Sequence, residues 1–142
     1  MTNVYNKYEP YLAYTKNTDE KKMLQEYIKL EFELGNLPIG VLKTNQKILD
    51  LGCGNGINTY FLSNLFTKHN ILGIDSSSSQ IEFANQNNNA KNIKYSNLSF
   101  EEMDNTYKFD FIIASHVLQY ISIDLKYFIS KILQSLNTDG EV

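Results

Sequence analysis

Cysteine is almost missing from this sequence: Cys53 is the single one in 142 residues. No internal disulfide can form, and a reducing, cytoplasmic compartment is the expectation. Charge of one sign is not concentrated either. The chain carries 13 Lys and Arg against 16 acids, a net charge of -3, and no basic block occurs. That argues against nucleic acid or an anionic membrane surface as partner. No apolar run approaches the roughly 18 residues a membrane span needs. The opening MTNVYNKYEP lacks the apolar core of a signal peptide. No metal site is expected. What is present is 42% hydrophobic, which fits one globular domain with a core.

Glycine is scarce, with seven in the chain, yet three of them fall within five residues: Gly52, Gly54 and Gly56 in KILDLGCGNG. They follow a short apolar run ending in an acid, Asp50. KILDL (residues 47–51) reads as a buried strand, and GINTYFLSNLF as a helix through Ile57, Tyr60, Phe61 and Leu65. NILGID (residues 70–75) is a second strand that also ends in an acid, Asp75. SSSSQIEFANQ reads as a serine-capped helix and NIKYSNL as a third strand. FDFIIAS is a fourth strand. IDLKYFISKILQSL is a helix with Leu125, Phe128, Ile129, Ile132, Leu133 and Leu136 on one stripe. The biased run NQNNN (residues 85–89) reads as a solvated helix end or loop. Strands alternating with helices over short links imply an α/β, doubly wound parallel sheet. The chain stops at LNTDGEV, where a further strand would begin, so truncation after the fourth strand is the expectation. A partner or a further C-terminal segment would then complete the sheet.

In such sheets ligands sit beyond the carboxyl ends of the strands. Glycines in the first loop allow positive φ and close approach of a ligand to the backbone. The free N–H groups of the following helix face the same place. Dinucleotides favour G-x-G-x-x-G, whose backbone receives a pyrophosphate. Here the pattern is D-x-G-x-G-x-G. Asp50 puts negative charge at the strand end, which is poor for a pyrophosphate and good for a cation. S-adenosylmethionine carries an ammonium and a sulfonium and no phosphate. Asp75, 19 residues after Gly56, suits the ribose hydroxyls of an adenosine. Cys53 reads as a small loop filler, since no His or Lys beside it suggests activation.

With ILDLGCGNG, GIDSSSSQIEFA and FDFIIASHVLQYI in this order, residues 47–142 resemble the class I S-adenosylmethionine-dependent methyltransferases. The resemblance implies a Rossmann-like core over residues 46–142, lacking the last strands of the family sheet, behind an N-terminal helical cap or substrate lid, residues 1–45. It implies that Asp50, Gly52, Cys53 and Gly54 line the methionine end, and that Asp75 and Ser76 hold the ribose. The backbone near Ser99 and Phe100 would flank the adenine, and Ser115 and His116 would sit at the mouth of the fourth strand. Ser99 stands where many members carry an aspartate. KYEPYLAYTKNTDEKKMLQEYI, with SSSSQI, NLSFEEM and HVLQYISIDLKYFISKIL, is similar in order and spacing to the histamine N-methyltransferases. That fainter likeness implies Gln80 at the adenosine, and Glu20, Tyr11 and His116 at the substrate. Glu20 also fits an ordinary first-turn acid after Thr18, and His116 a strand-end histidine.

The expected activity is methyl transfer from S-adenosylmethionine, leaving S-adenosylhomocysteine, to a small molecule such as an amine. His116 or Glu20 would be the proton acceptor. The alternative is a non-catalytic cofactor-binding or partner-regulating module on a truncated fold. A nicotinamide-dependent oxidoreductase is the third reading, disfavoured by the glycine spacing and Asp50.

Overall fold

The computed structural model describes residues 45–104, 106–114 and 124–141, the last four by backbone alone. The expected cap, residues 1–45, lies outside the described residues except for Asn45. Strand β1 is Lys47–Leu51 and leads to helix α1, Ile57–Leu65. Strand β2, Asn70–Asp75, leads to α2, Ser78–Asn87, and β3 is Ile93–Asn97. A 3-10 turn, Phe100–Glu102, lies on the way to β4, Phe109–Ile113, and α3 is Leu125–Ser135.

The chain does not stop at four strands. The segment where a further strand is expected to begin forms β5, Leu136–Glu141, so the expected count of four strands is corrected to five. The sheet is fully parallel in the order β3-β2-β1-β4-β5. Asn, Asp and Gly in β5 are poor strand formers, which is why its composition gives little strand signal. Its pairing comes from the β4 edge through Phe109–Leu136 and Phe111–Glu141, with an irregularity between them. Leu136 therefore opens a strand instead of closing the helical stripe; its backbone is already extended, at φ -85° and ψ 143°.

Both sheet faces are covered, as a parallel sheet requires. Leu49, Leu51, Ile74 and Ile112 point to the α3 side, where Phe128 and Ile132 meet them with Phe100 and Met103. Ile48, Ile71 and Phe111 point the other way onto Leu62 and Phe66 of the α1 layer. Cys53, Ile81, Ala84 and Tyr95 form a smaller cluster under α2. The α3 stripe is narrower than its sequence implies. Phe128 and Ile132 are buried, but Leu125, Ile129 and Leu133 are 56%, 48% and 63% exposed. The buried face runs through Phe128, Lys131, Ile132 and Ser135. Lys131 stays inside because its Nζ donates to Glu101 O at 2.8 Å and lies over the Phe100 ring.

Strand order reverses beside β1: β2 and β3 build to one side, and β4 and β5 to the other. The glycine loop leaves β1 at this switch point, at the carboxyl end of the sheet.

Candidate cofactor site

All three loop glycines adopt positive φ: +72° at Gly52, +57° at Gly54 and +80° at Gly56. This is the left-handed region that other residues enter at a cost, and it accounts for three glycines in five positions. The loop is tied to the end of β2. The Gly52 and Cys53 amides both donate to Ile74 O at 2.9 Å, and Gly54 N donates to Asp75 Oδ2 at 3.0 Å. Asp75 Oδ1 accepts from Ser77 N at 2.8 Å. One carboxylate thus aligns the ends of β1 and β2 and the start of α2. A carboxylate has about four lone-pair positions, so two such contacts leave room for ligand hydroxyls.

Asp50 ends up deeper than its neighbour. It is 4% exposed, and Oδ2 accepts from Thr59 Oγ1 of α1 at 2.6 Å. Burial, opposed by the Thr59 hydrogen bond and aided by the Asp75 charge, raises its pKa to about 6. Burial also raises Asp75, opposed by the Ser77 and Gly54 amides. Among the described residues, no cationic side chain is one of the groups acting on either acid. Two carboxylates thus place negative charge at the loop.

Ser77 caps α2, with its hydroxyl accepting from Gln80 N at 3.3 Å. Gln80 is fully buried, and neither its Oε1 nor its Nε2 has a hydrogen-bond partner. In a capping box this side chain would return to the cap residue's amide. Here that amide is already engaged by Asp75. An unpaired buried amide costs roughly 1–3 kcal/mol, and this one lies in the first turn of α2, shortly after Asp75.

Cys53 packs its side chain into the α2 core, 8% exposed, so its contribution to the loop is main-chain. Burial, with Asp50 and Asp75, pushes its thiol well up, which disfavours the thiolate. Phe100 turns its ring into the core against Phe128, with centroids 5.4 Å apart. Ser99 Oγ donates to Glu102 Oε1 at 2.8 Å. Only the backbones of these two residues are oriented by the β3 exit. Ser76 is half-buried beside Asp75. Tyr11, Glu20, Ser115 and His116 lie outside the described residues. Thr59, Asn55, Asn88 and Tyr95, which hold the loop from behind, were missed by sequence reasoning.

A separate cleft of about 540 Å³ is lined by Lys47, Asn70, Lys91, Lys94 and Lys108 among others. It lies at the opposite strand ends and is not this site. Among the described residues no His, Cys, Asp and Glu cluster could hold a metal. None of their helices is long and apolar enough to cross a membrane.

The family described as "Methyltransferase domain" matches residues 48–140. A malonyl-[acyl-carrier protein] O-methyltransferase of Acetivibrio thermocellus is 31% identical over 123 residues, covering 84% of this chain and 43% of that protein. The Bacillus anthracis protein of the same name is 37% identical over 94 residues, covering 66% of this chain and 35% of that one. The chain thus spans less than half the length of these curated relatives. The coclaurine N-methyltransferase structure bound to N-methylheliamine and S-adenosylhomocysteine superposes with a TM-score of 0.66. It covers 84% of this chain and 34% of that one at 17% identity, a likeness of fold. With the match running from the second residue of β1 into β5, this chain belongs to the methyltransferase-domain family, the class I S-adenosylmethionine-dependent methyltransferases.

Proposed function

We propose that this chain holds S-adenosylmethionine over the glycine loop and forms the cofactor-binding part of an enzyme that methylates a small molecule. One observation carries the reading. Two carboxylates close the ends of β1 and β2 around a positive-φ loop, with no cationic side chain among the described residues acting on either. A pyrophosphate would be repelled there, and a cationic ligand attracted. The orphaned Gln80 amide fits the same ligand class, because an adenosine offers both donors and acceptors.

When bound, S-adenosylmethionine supplies an activated methyl group on sulfur. The residues of this chain do the holding. Asp75 accepts from the ribose hydroxyls with its remaining lone pairs, and Ser76 and Gln80 add polar contacts beside it. Gly52, Gly54 and the Cys53 main chain leave space for the methionine end. Asp50 supplies negative charge beneath it. The main chain at Ser99 and Phe100 flanks the adenine. Ser115 is assigned to the cofactor and His116 to the substrate. Tyr11 and Glu20 of the N-terminal segment meet the acceptor, with His116 or Glu20 taking its proton.

Two acceptor chemistries are in play. The likeness to histamine N-methyltransferases points to an amine nitrogen. The malonyl-[acyl-carrier protein] relatives point to a carboxyl oxygen. Calorimetric titration with S-adenosylmethionine, S-adenosylhomocysteine and NADH tests the cofactor. Micromolar binding of the first two and none of NADH is expected; NADH binding alone overturns the reading. Release of S-adenosylhomocysteine from a panel of amines and malonyl thioesters then separates the acceptors. A chain that binds the cofactor and releases no product with any acceptor is a binding module instead.

A further inference from the structure

The glycine loop is gripped on its far side by residues that are remote in sequence. Tyr95 of β3 lies opposite Gly73 of β2 in the sheet register. Its ring lies so close over that glycine that a Cβ there would meet Tyr95 Cδ1 at 2.8 Å. From this seat the hydroxyl reaches Asn88 O at 2.7 Å and Gly56 O at 3.2 Å. The phenol has one proton, so Asn88 O takes the larger share of it. Gly56 O also accepts the first hydrogen bond of α1, from Tyr60 N at 2.8 Å. Asn88, 2% exposed at the end of α2, donates from Nδ2 to Asn55 O at 2.8 Å. The carbonyls of Asn55 and Gly56 are thus both held from behind by β3 and the end of α2. Gly56 is in turn shaped to Tyr95, since a Cβ there would lie 2.4 Å from the hydroxyl. Burial pushes the Tyr95 phenol far up, so it remains a donor throughout the working pH range.

We propose that Tyr95 is a positioning residue of the cofactor loop. Its hydroxyl, with Asn88, sets the orientation of residues 54–57, and so the affinity for the cofactor, without touching it. Gly73 is the steric partner that lets the ring lie there. The Asp75 contacts fix one side of the loop and this clamp fixes the other; a loop held on one side only samples orientations that do not bind. The proposal rests on the reading of the loop as an S-adenosylmethionine site.

Tyr95→Phe keeps the ring and removes the hydroxyl's hold on Gly56 O and Asn88 O. The full 142-residue chain is compared as wild type, Tyr95→Phe and Ile132→Val, the last a control that loosens the opposite core layer. S-adenosylhomocysteine affinity is measured by calorimetry, and amide hydrogen exchange without ligand. Tyr95→Phe is expected to weaken binding five- to tenfold and to speed exchange at residues 54–57 at least tenfold. Ile132→Val is expected to change neither. Unchanged affinity and unchanged loop exchange in Tyr95→Phe overturn the clamp, as does an equal loss in the control. Should wild type itself fail to bind, the cofactor reading falls. Loop exchange then judges the clamp: acceleration confined to residues 54–57 supports it, and uniform acceleration overturns it.

Discussion

Replacing Asp50 with asparagine separates two opposed effects of the native carboxylate. Burial raises the pKa from 3.8 to about 6. The folded state therefore resists ionisation, and the group's contribution to stability is greatest below the unfolded pKa. That contribution is lost as pH rises through the folded value. Across a difference of about 2 units, at about 1.4 kcal/mol per unit, the ionised carboxylate costs the fold roughly 3 kcal/mol at pH 8. The asparagine amide would keep an oxygen acceptor for Thr59 and lose the charge. We expect Asp50→Asn to be more stable than wild type at pH 8 by about 2–3 kcal/mol. The advantage should shrink as pH falls below 6 and vanish near 4. Urea unfolding at half-unit pH steps checks this. Taking the difference between the two proteins cancels the titration of His69, whose pKa burial lowers, whereas Asp75, whose charge acts on Asp50, is part of the difference. The same charge should favour a cationic ligand. In wild type, S-adenosylmethionine affinity should rise between pH 5 and 7 as Asp50 ionises. Asp50→Asn should lose affinity for the sulfonium more than for S-adenosylhomocysteine, whose sulfur is neutral. Equal stability of the two proteins at pH 8 would refute the raised pKa. Equal losses for the two ligands would refute the electrostatic role.

Asp75→Ala removes the acceptor of the Gly54 and Ser77 amides as well as the ribose partner. Hydrogen bonds to charged groups contribute roughly 1.5–3 kcal/mol each, so S-adenosylhomocysteine affinity should fall at least tenfold in a chain that circular dichroism shows folded. Gly54→Val puts a β-branched residue at φ +57° and should abolish binding in the same titration; normal binding would mean that the loop is only a turn. Gln80→Met replaces the unpaired buried amide with an apolar chain of similar length. It should raise the ligand-free denaturation midpoint while weakening S-adenosylhomocysteine binding, and unaltered binding would remove Gln80 from the site.

The parts of this fold legible in sequence are those whose cause is local. KILDL and NILGID coincide with β1 and β2 because central parallel strands are buried on both faces and read as unbroken apolar runs. The serine run announces a capped α2, and Ser77 is the serine that fills the cap. The loop glycines declare positive φ by their identity alone. β5 fails this test, because its strand character comes from the β4 edge and not from its own residues. The α3 stripe fails differently. Six apolar positions say that a helix is amphipathic, but not how wide a strip its neighbours cover.

Within the site the same division holds. Asp50, the glycines and Asp75 lie within 26 residues, and their spacing carries the chemistry. Tyr95 is 39 residues from the Gly56 carbonyl it reaches, and Asn88 is 33 from Asn55. No spacing rule links them. One signal was nevertheless present. A glycine inside an apolar strand marks close approach by another group, and Gly73 stands in the middle of NILGID. Pairing β2 with β3 residue by residue from Ile71 opposite Ile93 sets Tyr95 against Gly73. The aromatic that fills the vacancy could then have been named, though not the carbonyls its hydroxyl holds. Those depend on how far the loop bends back over β3, and that bend is set by the positive φ values at Gly52, Gly54 and Gly56 together with the Asp75 contacts.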